Sequence, residues 1–132
     1  HICHCRMCQK AAGNFFMPLV NVQNVDFETT RGEIAWFRSS DRVRRGFCRD
    51  CGTPLAFVTE GRSHLNVTIG SLDDPSAVKP ITQDGVESRL PWFAALHQLP
   101  EEFTPTGLSD GARQHPDCET AAWPPQPPPK IT

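Results

Sequence analysis

The sequence predicts a mainly β protein with a few short helices and two cysteine-bearing metal turns. Three observations point there. Short alternating or aromatic-rich apolar segments recur between Gly- and Asp-containing turns. The helical patterns are confined to one or two turns each. Five of the six cysteines fall into two tight groups, Cys3, Cys5 and Cys8 at one end and Cys48 and Cys51 further on.

Taken in order, CRMCQKAAGN predicts one or two helical turns stopped by Gly13, because glycine accepts the left-handed backbone of a helix end. PLVNVQNVDFE reads as a strand with Val20 and Val22 on one face and Asn21 and Gln23 on the other. GEIAWFRSS is short, aromatic and bounded by turn residues, which predicts a second strand. VRRGFCRDCGTPLAFVTEG predicts a strand entering a metal-binding turn and another leaving it. HLNVTIGSL alternates Leu65, Val67 and Ile69 with Asn66 and Thr68, the clearest strand pattern in the chain. Asp74 followed by Pro75 predicts the start of a short helix, and PWFAALHQL predicts two turns with Trp92 and Leu96 four residues apart.

A single domain is expected over residues 1–103, with 104–132 as an extended or disordered tail. Seven prolines fall in the last 29 residues, and such a stretch favours polyproline II over a packed core. Thirteen Lys and Arg against fifteen Asp and Glu leave a net charge of −2, which argues against a dedicated nucleic-acid or membrane surface. No apolar run approaches the roughly 18 residues of a spanning helix, so a soluble, cytoplasmic protein is expected. A chain opening on His1 is expected to continue upstream.

The cysteine spacing favours metal over disulfides. Cys3, Cys5 and Cys8 are too close to pair sensibly with one another, and Cys118 stands alone in the tail. In FCRDCGT the C-x-x-C turn lets two sulfurs converge on one ion, with Gly52 free to take an unusual backbone angle. Two ligand sets remain open. Cys5, Cys8, Cys48 and Cys51 would form one four-thiolate ribbon, C-x2-C-x39-C-x2-C. Alternatively, Cys3, Cys5 and Cys8 share one zinc whose fourth position stays open, the arrangement in which catalysis occurs. Spacing does not choose between them.

CHCRMCQKAAGNFF, FCRDCGTPL, IGSLDDP and LPWFAALHQLPEEF, in that order, resemble the motifs of the glutathione-dependent formaldehyde-activating enzyme family, which includes centromere protein V. The resemblance covers residues 1–103 and implies an Mss4-like fold, mostly antiparallel strands with two zinc sites. It implies that Cys3, Cys5 and Cys8 form the catalytic zinc site and that Cys48 and Cys51 supply half of a structural one. The other half lies, in the family, on an upstream G-x-C-x-C-G strand, which this sequence begins after. The implied activity is that of a carbon–sulfur lyase, forming or cleaving S-hydroxymethylglutathione, with glutathione and a small aldehyde as partners. A non-catalytic, zinc-stabilised binding module is the alternative.

Three thiolates leave a bound zinc with a formal negative charge, which suits an incoming thiol better than the activation of water. Arg6, Lys10, Arg42, Arg44 and Arg45 are the candidates for gripping substrate carboxylates, because guanidinium binds them in bidentate fashion. His4 is expected to point away from the metal, and His64 and His97 to lie on the surface. Phe15, Phe16, Trp36, Trp92 and Phe93 are expected in the core or in pocket walls.

Overall fold

The structure, a computed structural model, describes residues 1–107. The expected tail beyond residue 107, Cys118 included, lies outside the described residues. Strands β1 (Ile2–Cys3), β2 (Met17–Gln23), β3 (Ile34–Ser40), β4 (Val43–Cys48), β5 (Pro54–Thr59), β6 (His64–Thr68) and β7 (Gln83–Asp84) surround one α-helix, α1 (Arg6–Ala12). They form a single sheet in the order β3-β4-β5-β6-β2-β1-β7. The mainly β architecture predicted by the sequence is present. Every pairing is antiparallel except β1 with β7, which run parallel.

Strands β3 to β6 make a meander, and the earlier β2 then pairs with β6. Register places Arg45, Phe57, Asn66 and Asn21 in one cross-strand row. Leu19 and Met17 continue that face along β2, since side chains alternate with a period of two. The opposite face carries Val20, Val67, Ala56 and Gly46 in a second row.

Strand β2 presents Val20 and Val22 on one face and Asn21 and Gln23 on the other, as its sequence predicts. The alternation is real, yet the deepest residues are Met17 and Leu19, at 3% and 1% exposure, on the face shared with Asn21 and Gln23. Helix α1 returns over the first half of β2, so Cys8, Met17 and Leu19 make the core, with Cys3, Cys5, Ala12 and Phe57 packed around them. Val20 and Val22 remain half-buried. Strand β6 also departs from simple alternation, because Asn66 and Thr68 are buried along with Leu65 and Ile69. Thr68 is satisfied there: its hydroxyl donates to the Pro54 carbonyl at 2.6 Å, and Ser71 donates to the Thr68 carbonyl at 2.9 Å.

Helix α1 ends as its sequence predicts. Gly13 takes φ 59°, and the amides of Gly13 and Asn14 donate to the carbonyls of Lys10 and Gln9. The two later helices have the short lengths expected but are of the tighter 3-10 type. Pro75–Ala77 is a single 3-10 turn whose start is fixed by the Ser76 amide donating to Asp74 Oδ1 at 3.0 Å. Phe93–Gln98 is likewise a 3-10 helix, with Trp92 just before it.

The β3 edge corrects the expected burial of Trp36. Its indole is 41% exposed and lies across Gly46, under the Arg44 guanidinium at 4.9 Å. Gly46 is required there, because a Cβ would sit 2.7 Å from Ile34 and 3.1 Å from the indole.

Candidate metal centre

The site is assembled by the shortest strands. Strand β1 is held on both sides, Cys3 opposite Met17 and beside Asp84. The Ile2 amide donates to Thr82 O at 2.9 Å and the His4 amide to Asp84 O at 2.8 Å. Cys5 is the residue before α1, with extended backbone, and its carbonyl accepts the Gln9 amide at 3.0 Å. Residues three apart meet on one side of a helical turn, so Cys5 and Cys8 present their sulfurs together and β1 brings in Cys3.

The three sulfurs all lie within 4.8 Å of one another, Cys3 and Cys5 at 3.4 Å. Sulfurs bonded about 2.3 Å from a tetrahedral ion stand about 3.8 Å apart, so the spacing fits three corners around one ion. The donor set fits as well, since clustered thiolates select zinc or similar soft ions. No other His, Cys, Asp or Glu among the described residues belongs to this group.

The sulfurs are electrostatically unequal. Cys8 is pulled down to about 5, first by the hydrogen bond from Cys3 and then, against the opposing effect of burial, by the Arg45 guanidinium. The same bond to Cys8, with burial, drives Cys3 upward.

Gln9 and Gly85, which the sequence did not single out, lock the loop. Gln9 is 4% exposed, and its Nε2 donates to His4 O at 2.8 Å and to Ser88 O at 3.0 Å. Its Oε1 accepts from Arg6. Gly85, at φ 63°, lies directly against the Cys5 backbone. Neither residue announces itself, because both act on segments brought together only by the β1–β7 pairing.

His4 does point away from the sulfurs, as expected, but into full burial. Its Nε2 lies 3.0 Å from Gln83 Oε1, while Nδ1 is buried without a partner. The ring meets Phe93 edge-on at 4.7 Å. Phe15, Phe16, Trp92 and Phe93 pack edge to face into one aromatic wall at His4. Trp36 is not part of it.

Of the expected carboxylate-gripping cations, Arg45 is spoken for. It is 6% exposed, and its Nη2 donates to Cys8 Sγ at 3.4 Å. Arg44 pairs with Glu60 at 3.0 Å, and Lys10 and Arg42 are exposed. Beside Arg45 a cavity of about 290 Å³ is lined by Ala11, Met17, Phe47, Gly52 and Pro54, so it runs toward the second cysteine turn.

That turn is well formed. The Cys48 amide donates to Thr53 O at 2.8 Å, the Gly52 amide to Cys48 O at 2.9 Å, and Gly52 takes φ 75°. Burial opposes ionisation of Cys51, but the bonds to Thr53 outweigh it and lower the thiol. Among the described residues Cys48 and Cys51 join no group of three ligands. The structure therefore does not gather Cys5, Cys8, Cys48 and Cys51 into one four-sulfur set.

A mainly antiparallel sheet whose core contains three convergent cysteine sulfurs defines a β protein with a thiol cluster that could hold a metal ion. A sequence model described as glutathione-dependent formaldehyde-activating enzyme matches residues 1–88. The chain belongs to that family. No curated protein matches it, and among the described residues no helix is long and apolar enough to cross a membrane.

Proposed function

We propose that the protein is a zinc-dependent carbon–sulfur lyase-type enzyme that joins glutathione, or a similar small thiol, to formaldehyde or another small aldehyde, and runs the reverse cleavage. The observation that carries this is the trio of Cys3, Cys5 and Cys8, mutually within 4.8 Å with no fourth side-chain ligand in the group among the described residues. Those residues would hold the zinc, with Cys48 and Cys51 forming half of a second, structural site. When bound, zinc supplies an electrophilic position at which a thiol is favoured as its thiolate.

The reaction balances without any oxidant or reductant. A sulfur–carbon bond forms at the carbonyl carbon, and the thiol's proton ends on the former carbonyl oxygen. The chain's own residues position this chemistry: β1 and α1 fix the three sulfurs, while Gln9 and Gly85 hold the loop. Burial around Cys8 limits water and strengthens the local electrostatics. Five free cysteines among the described residues suit a reducing, cytoplasmic setting.

Exchange NMR with ¹³C-formaldehyde and glutathione tests the proposal. Interconversion faster than the uncatalysed rate is expected for the zinc-loaded protein, falling to background in Cys3→Ser, Cys5→Ser or Cys8→Ser. Undiminished turnover in all three variants would falsify it. Background rates in a protein that does bind zinc would favour a zinc-stabilised binding module instead.

A further inference from the structure

Arg45 is a buried cation without a carboxylate. It projects from β4 onto the Phe57 ring at 4.8 Å, donates through Nε to Ser39 Oγ at 3.2 Å, and places Nη1 3.6 Å from Met17 Sδ. No Asp or Glu among the described residues pairs with it. A guanidinium at 6% exposure needs a compensating negative group, since an isolated buried charge is expensive. Of the side chains it bonds to or stacks on, Phe57, Ser39, Met17 and Cys8, only Cys8 belongs to the sulfur cluster, and Nη2 donates to Cys8 Sγ at 3.4 Å.

We propose that Arg45 is the positioning residue and counter-cation of the sulfur centre. Resting on the metal reading above, its role there is twofold. The guanidinium offsets the negative charge left when three thiolates surround a divalent ion. Its bond to Cys8 Sγ also fixes that sulfur's direction and withdraws electron density from it, as outer partners of metal ligands do. Phe57 and Ser39 hold the fork in place, so the charge cannot swing out to solvent. Arg45 thus serves the protein's own sulfur, and a substrate carboxylate must be met elsewhere.

The test uses the zinc- and cobalt-loaded protein, with metal affinity from chelator competition and the sulfur-to-cobalt charge-transfer band as readouts. Arg45→Met is expected to weaken zinc binding 10- to 100-fold and to shift the cobalt band to longer wavelength, because the sulfur lone pair loses its hydrogen bond. A purely structural role would not move the band. Arg45→Lys, which keeps the charge and loses the fork, should recover part of the affinity. If R45M fails to fold, Ser39→Ala decides, with a smaller loss of affinity and the same direction of shift expected. Unchanged affinity and spectrum in R45M, or in S39A when R45M is unfolded, overturn the proposal alone. Absence of any thiolate–cobalt band in the unaltered protein overturns the metal reading together with it.

Discussion

Gly85 sits so close to Cys5 that a Cβ built on it would lie 2.7 Å from the Cys5 amide nitrogen and 3.0 Å from its Cβ. The turn after β7 and the cysteine loop are therefore packed backbone to backbone, with φ 63° at the glycine. Gly85→Ala brings both a clash with backbone and a left-handed strain, and the expected loss is about 1–3 kcal/mol. Because the clash falls on Cys5, zinc affinity should fall with the denaturation midpoint. A variant with unaltered midpoint and affinity would show that the approach is not tight in solution.

Gln9→Ala removes the donor shared by the His4 and Ser88 carbonyls. Leaving buried acceptors unpaired costs about 1–3 kcal/mol, and urea denaturation of the zinc-free protein should show a loss in that range. Hydrogen exchange should quicken at the His4 amide, whose bond to Asp84 lies next to the lost contact. Unchanged exchange there would mean that Gln9 does not brace the loop.

The pH response of the metal-free protein follows from Cys8. Its folded value of about 5 lies below the ordinary 9.0, so its contribution to stability is full above about pH 9 and is lost as pH falls through about 5. Cys3 is shifted upward, so its contribution is full throughout that window and does not cancel the trend. The denaturation midpoint of the metal-free protein should therefore decline between pH 9 and pH 5. Cys8→Ser should flatten that decline, and an equally steep profile in the variant would exclude Cys8 as its source.

Gly46→Ala tests the β3 edge. The new methyl would press on Ile34 and the Trp36 ring, and overpacking of this kind costs about 1–3 kcal/mol. The loss should appear as a lower melting temperature, with altered tryptophan emission as the indole lifts from β4. Emission identical to that of the unaltered protein would show that the indole does not lie over Gly46.

Much of this was legible in the residues. The crowding of Cys3, Cys5 and Cys8 pointed to metal, Gly13 to the helix end, and the alternation from Leu65 to Ile69 to a strand. What escaped depended on neighbours. Val20 and Val22 look like a core face until α1 is seen to cover Met17 and Leu19 instead. Asn66 and Thr68 look solvent-facing until β6 is found between two strands, with Pro54 and Ser71 supplying partners to Thr68. Arg44 and Arg45 are adjacent and chemically identical, yet strand parity sends one to Trp36 and Glu60 and the other to Cys8. Strands β1 and β7 span two residues each, too short to show any period.

The pairing of β1 with β7 also governs when the centre can exist. Gln9 and His4 each bond to a residue 79 positions later, so the sulfur loop has no frame until that later stretch has been made. At a synthesis rate of 5–20 residues per second, the delay is roughly 4–16 s. Throughout it the three leading thiols travel unsheltered on the nascent chain, open to oxidants and to whichever soft cation arrives first. Any soft metal ion that the folded sulfur cluster takes up must therefore arrive after that later stretch has been made.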